Sequence, residues 1–125
     1  MDIITRQKLI VLIQLAKADN RFAIEEKDFI REIADRHNFP MDELEKLMQT
    51  ENQIESLGAL SSSKKEEYLI DSFYLIMADG KIEPQEVTFC QNIAVKLGYH
   101  KDIVMKVLNN WNTMSSIDFS AWKIL

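Results

Sequence analysis

The chain is poor in the residues that staple, kink or loosen a fold: its 125 positions hold one cysteine, two prolines and three glycines. A lone thiol, Cys90, excludes an intrachain disulfide framework and a cysteine-rich zinc site, and it fits a reducing compartment. Scarce glycine and proline argue for long regular elements and against a loop-rich β fold. They also leave no glycine-rich phosphate loop, and no serine sits in a nucleophile elbow. Long apolar runs are missing as well. The run Leu9-Ile10-Val11-Leu12-Ile13 stops at Gln14, far short of the ~20 residues that span a bilayer. The opening MDIITRQK carries Asp2 and no small-residue cleavage site, so no secretory signal and no direct membrane insertion are expected. Positive charge is not in excess. A net charge of −5 argues against a nucleic-acid partner, which needs clustered Lys and Arg to displace counterions. These absences predict a cytoplasmic protein, not an enzyme, with no catalytic residues and no organic cofactor.

Hydrophobic residues make up 46% and charged residues 28%, the balance of a folded globular chain. That length can bury a core without staples, and it predicts a single domain over 1–125.

The chain repeats itself. Shifted by sixty positions, LIVLIQLAKADNRFAIEEKDFIREIADRHNFPMDELEKLM falls without a gap on LIDSFYLIMADGKIEPQEVTFCQNIAVKLGYHKDIVMKVL. Leu15, Ala18, Asp19, Glu26, Phe29, Ile33 and Ala34 meet Leu75, Ala78, Asp79, Glu86, Phe89, Ile93 and Ala94. Two copies are too few for a solenoid. The expectation is an all-α compact bundle of about seven helices, built from two pseudo-twofold-related three-helix halves. Repeat 1 covers about 5–49, a linker 50–62, repeat 2 about 63–110 and a C-terminal tail 111–125. In each half a largely apolar first helix (about 2–18 and 64–78) suits the buried centre, with Ser63 and Glu66 as a capping box for the second copy. The next helix carries Phe29, Ile30, Ile33 and Ala34, or Phe89, Cys90, Ile93, Ala94 and Leu97, at helical spacing. Pro84 suits its first turn and Gly98 its stop. Third helices are predicted near 41–49 and 101–109, and the linker has room for one short helical turn.

The stretch ADGKIEPQE, 78–86, reads as the back half of a calcium loop around Gly80. The front half fails, because Leu75 and Met77 stand where carboxylates belong. Two readings stand side by side for Asp19, Glu26, Asp79 and Glu86. In one, the aspartates cap turns and the glutamates favour the positive end of a helix dipole. In the other, the four form a divalent-cation site. Glu26 and Glu86 lead the apolar stripes of their helices, so both carboxylates are predicted to lean inward, where an unpartnered charge is costly. One loop alone offers too few oxygens for calcium; two loops together offer four carboxylates, and magnesium needs fewer.

The doubled A-D-[N/G]-[R/K]-apolar-x-x-x-E-x-x-F in a helical frame, over about residues 5–110, resembles the tellurite-resistance TerB family. A similar domain occurs in a membrane-anchored DnaJ-type co-chaperone. The resemblance implies an all-α fold with two related halves and acids clustered near the loops. It also implies a link to stress response through metal sensing and assembly with protein partners. Carried over, the functional acids are Asp19, Glu26, Asp79 and Glu86; the ion, calcium or magnesium, follows from the count of oxygens. Asn20 departs from the glycine present at Gly80.

The function expected is thus a TerB-like cytoplasmic sensor or adaptor with a protein partner. The alternative is a metal-independent interaction module whose acids only cap helices. His37 falls on a core stripe and reads as structural or solvated, not as a ligand, and Cys90 reads as a small hydrophobe. The tail, with Trp111, Met114, Ile117, Phe119 and Trp122, reads as a further element packed over the helices or as an interface anchor.

Overall fold

The computed structural model describes residues 3–18, 22–51, 57, 60–78, 80–114 and 116–123. Six α-helices follow in chain order: α1 Ile3–Ala16, α2 Ile24–Arg36, α3 Met41–Gln49, α4 Ser62–Met77, α5 Pro84–Lys96 and α6 Asp102–Asn109. A turn of 3-10 helix, Phe119–Trp122, takes the place of a seventh. Among the described residues there is no β-strand, and one isolated antiparallel bridge joins Tyr99 to Lys123. No described helix is long and apolar enough to cross a membrane. The linker segment foreseen as a possible helical turn lies largely outside the described residues.

The first helices of the two halves form the centre. α1 buries Lys8 through Ile13 without a break, then Leu15 and Ala16, which a helix can do only when neighbours cover it on all sides. α4 buries Tyr68, Leu69, Ser72, Phe73, Leu75 and Ile76. Each such aliphatic or aromatic side chain gains about 1.5–3 kcal/mol from leaving water.

Two polar side chains join this pair of helices. Lys8, its side chain 3% exposed, places Nζ 2.6 Å from Glu67 and 2.8 Å from Asp71. Tyr68, which aligns with Lys8 in the repeat, donates from its hydroxyl to the carbonyl of Ile4 at 2.5 Å. The same position in each helix thus reaches across to the other with different chemistry.

α4 starts earlier than its sequence suggested. Ser61 is the N-cap, its Oγ accepting from the Lys64 N–H at 3.2 Å, and Ser63 lies inside the helix. Three consecutive serines are chemically equivalent caps, so composition alone could not choose among them.

The outer helices repeat at the sixty-residue offset. α2 and α5 begin and end at matching positions. Both close on the same C-terminal turn. The Phe39 N–H donates to the Ala34 carbonyl at 2.8 Å, and the Tyr99 N–H to Ala94 at 2.9 Å. The left-handed residue this turn needs is Asn38 (φ 56°) in one and Gly98 (φ 94°) in the other, as a helix C-terminus commonly requires. His37, aligned with buried Leu97, is itself exposed, the solvated one of its two expected settings, because a polar ring at a helix end gains more from water than from the core.

Packing follows the repeat as well. α1 packs on α4, α1 on α2 as α4 on α5, α2 on α3 as α5 on α6, and α1 on α3 as α4 on α6. Across the halves, α1 meets α5 as α4 meets α2. The tail folds back: Phe119 is buried, its ring 5.5 Å from that of Tyr99, and the His100 N–H donates to the Trp122 carbonyl at 2.7 Å.

Candidate functional site

Glu26 and Glu86 both stand at the third position of their helices, where the free N–H groups of the first turn and the positive end of the dipole favour a carboxylate. Oε1 of Glu26 accepts from the Ala23 N–H at 3.0 Å, and Oε1 of Glu86 from the Glu83 N–H at 3.3 Å. This is the returning half of a capping box, made twice. Both side chains are inside, at 2% and 1% exposure, because the helix stripe that carries Ile30 and Ile33, or Cys90 and Ile93, begins with them.

Asp19 and Asp79, the other two candidate ligands, lie outside the described residues, as do Asn20 and Arg21. Among the described residues no three His, Cys, Asp or Glu side chains are grouped so as to hold a metal ion. Gly80 does take the turn conformation expected of it, with φ 76° and its N–H donating to Met77 at 3.2 Å. The structure thus places Glu26 and Glu86 as caps of their own helices.

Cys90 lies a turn beyond Glu86 and is buried. Burial, reinforced by the Glu86 charge, pushes its thiol up to about 12, so it acts as a small hydrophobe.

A feature that motif reasoning missed is an open groove of about 780 Å³ between α1, α5 and the end of α3. Its floor is Ile10, Ile13 and Phe89, and its rim includes Gln14, Glu51, Thr88 and Asn92. Lys17 and Ala18 also line it, as do Pro84 and Gln85. The first pair immediately precedes the first acidic loop, and the second immediately follows the other. The groove is therefore where the flanks of both loops converge, brought together by the α1–α5 contact. The Lys17 ammonium donates to the Met48 carbonyl and lies 5.7 Å from the Phe22 ring centre.

The same place in the other half is built differently. The residues sixty positions on from Gln14 and Glu51 are Tyr74 and Trp111. Their rings meet edge to face with centres 5.1 Å apart at 82°, and the Phe29 ring stands 6.4 Å from Tyr74. Past Trp111, a second groove of about 490 Å³ runs between α4, α6 and the tail, lined by Phe73, Met114, Ile117 and Phe119. The signal for the open groove was present in the repeat. A glutamine and a glutamate stand where the second half has two aromatic rings, and Lys17 stands where it has Met77.

No family model, no curated protein and no solved structure matches the chain.

Proposed function

We propose that the chain is a TerB-like cytoplasmic adaptor module of two three-helix halves related by a pseudo-twofold axis, and that it works by binding a protein partner in the groove between α1 and α5. The observation that carries this reading is the groove itself: about 780 Å³, open, and mixed in polarity, within the size range of binding clefts. The repeat of helix bounds, caps and packing supports the pseudo-twofold. The doubled acidic motif supports the TerB likeness and, through it, a place in stress response.

The test is a matched pair of substitutions at equivalent positions. Thr88→Arg puts a bulky charge on the groove wall, and Asp28→Arg puts the same side chain at the aligned position of α2, where it also removes the Asp28–Arg31 pair at 3.6 Å. Both positions are exposed, so both variants should fold. Capture of partner proteins on the immobilised chain should fall at least tenfold with Thr88→Arg and stay near wild type with Asp28→Arg. Equal effects of the two, or none, would remove the groove from the reading.

A second reading is favoured by the burial of Glu26 and Glu86 beside the loops. In it the four acids Asp19, Glu26, Asp79 and Glu86 bind calcium or magnesium, and the ion shifts the population of loop states that a partner sees. Amide shifts during a calcium and then a magnesium titration decide this. Joint movement of the loop amides from 19 to 26 and from 79 to 86 supports it, and flat spectra at millimolar metal end it.

A further inference from the structure

We propose that the groove between α4, α6 and the tail is a second binding site, and that it takes a small organic cation with an alkylated nitrogen, such as a quaternary ammonium. It shares no lining residue with the groove between α1 and α5 and stands whether or not a partner binds there.

Charge selects the sign of the ligand. Among the described residues that line this groove, Glu66 carries a charge and none is Lys, Arg or His. Glu66 is half-buried and makes no ion pair among the described residues. The ammonium of Lys64 pairs instead with Glu67 at 3.5 Å, and that of Lys8 with Glu67 and Asp71. The other two acids of this stretch of α4 are thus answered, and Glu66 is not. Its charge reaches the rings behind the groove. The Tyr99 hydroxyl is buried without a hydrogen-bond partner among the described residues. Burial first, and the Glu66 charge second, raise the pKa of that phenol, whose ring packs on Phe119 of the groove wall. An anion would meet the carboxylate here with no cation to offset it, and a neutral ligand would gain nothing from it.

Four rings, of Phe73, Tyr74, Trp111 and Phe119, line the same groove. Aromatic faces are negative and attract a cation held over them, most strongly once water is excluded. Tyr74 and Trp111 stand at 82° with centres 5.1 Å apart, so they form a corner rather than a flat stack. Donor count then decides the kind of cation. A lysine ammonium brings three N–H donors and a guanidinium five. Besides Glu66, the strong side-chain acceptors of the lining are the hydroxyls of Tyr74 and Ser116. Donors left unmet in an apolar site are costly. Alkylation removes the donors and gives the cation an apolar body to set against Ile70, Met114 and Ile117. The volume of about 490 Å³ is that of a small-molecule site. The tail walls one side and is tied down by the His100–Trp122 hydrogen bond, so a compact free molecule suits the groove better than an extended chain.

The probe is choline. Its controls are neohexanol, in which carbon replaces the nitrogen, and ethanolamine, which lacks the methyl groups. Titrated into the labelled full chain, choline should give saturable NMR shifts centred on Glu66, Tyr74, Trp111 and Ile117, with each control at least fivefold weaker. Glu66→Gln should weaken choline at least fivefold while keeping the helical circular dichroism. Trp111→Leu should do the same, and if it does not fold, Tyr74→Leu, at a ring 51% exposed, replaces it. An equal response to neohexanol would make the groove merely apolar and overturn the inference. So would an equal response to ethanolamine, no saturable shift, full binding by Glu66→Gln, or shifts centred on Gln14 and Thr88. A trimethyl-lysine peptide or a phosphocholine vesicle binding more tightly than choline would assign the cation to a protein or a membrane and overturn the free-molecule occupant. None of these results bears on partner capture through Thr88, so the two sites stand or fall separately.

Discussion

Cys90 sits one turn of α5 beyond Glu86, and both side chains are shut off from water. The sulfur is therefore held as a thiol by its surroundings and by a neighbouring negative charge, which together raise it to about 12. The thiolate is the reactive form. The folded chain should resist a disulfide reagent at pH 8, and labelling should rise only along the urea unfolding curve. Fast labelling without denaturant would mean that α5 opens locally. The sign of the linkage is fixed as well. Stability from the protected thiol is complete below the unfolded value of ~8.5 and is lost as pH climbs from there toward the folded value.

The Lys8 contacts predict a non-additive mutant set. Lys8→Met keeps the shape of the side chain but strands Glu67 and Asp71. Because both acids are partly exposed, at 38% and 16%, the cost should fall below the ~3–5 kcal/mol of a fully buried break, at about 2 kcal/mol. Adding Glu67→Gln and Asp71→Asn should recover at least half of it, read by urea denaturation. Partial burial raises the Glu67 carboxyl, but the hydrogen bond and charge of Lys8, helped by Lys64, outweigh this and hold it below its usual range. Its share of stability is present above the unfolded value of ~4.3 and is lost as pH falls through the lower folded value. In Lys8→Met that acid-side loss should shrink.

Glu86→Gln separates a cap from a ligand. The amide oxygen can still accept the Glu83 N–H, so if capping is its whole role the cost is ~1 kcal/mol or less. If a cation binds, the variant should lose the metal-dependent rise in melting temperature, which follows RT ln(1 + [L]/Kd). Asp19→Asn and Asp79→Asn should each weaken such binding and combine for less than their sum if the loops share one ion. Identical metal effects in wild type and Glu86→Gln exclude Glu86.

Gly98 and Asn38 fill one role with unequal tolerance. A Cβ on Gly98 meets no atom within 4 Å, so the cost of Gly98→Ala is backbone strain alone, about 1–2 kcal/mol at positive φ. Asn38→Gly should change stability by under ~0.5 kcal/mol, because Asn tolerates the left-handed region. Thermal melts of the two variants check both values, and an unchanged melting temperature in Gly98→Ala would show that the turn adjusts.

The outer helices were legible because their punctuation is chemical. Pro84, the glutamates at 26 and 86, and Asn38 with Gly98 mark starts and stops in residues that have few other uses. The inward lean of Glu26 and Glu86 was legible from register alone. The start of α4 was not, since Ser61, Ser62 and Ser63 cap equally well. For His37 the sequence left two settings open, structural or solvated, because the choice depends on whether a helix end favours water over the core. The groove was invisible to motif reading because it is a contrast between Gln14 and Tyr74, and between Glu51 and Trp111. Each pair is ordinary until the helices that bring it together are known. The metal question turns on Asp19 and Asp79, outside the described residues.

The unlike cross-contacts of Lys8 and Tyr68 decide which helix can serve as a mate. The residues aligned with Glu67 and Asp71 are Gln7 and Val11. Were α1 to pair with α1 of another copy, each ammonium would be buried beside an amide and a valine, with no carboxylate to answer it. Two copies of α4 would set Tyr68, the residue aligned with Lys8, against Glu67 and Asp71, with no buried ammonium to answer them. Like pairings are thus penalised and the unlike one is rewarded, which is discrimination by repulsion. Expressed as two separate polypeptides cut in the linker, the halves should assemble one to one as a heterodimer, and neither should form a stable pair with itself.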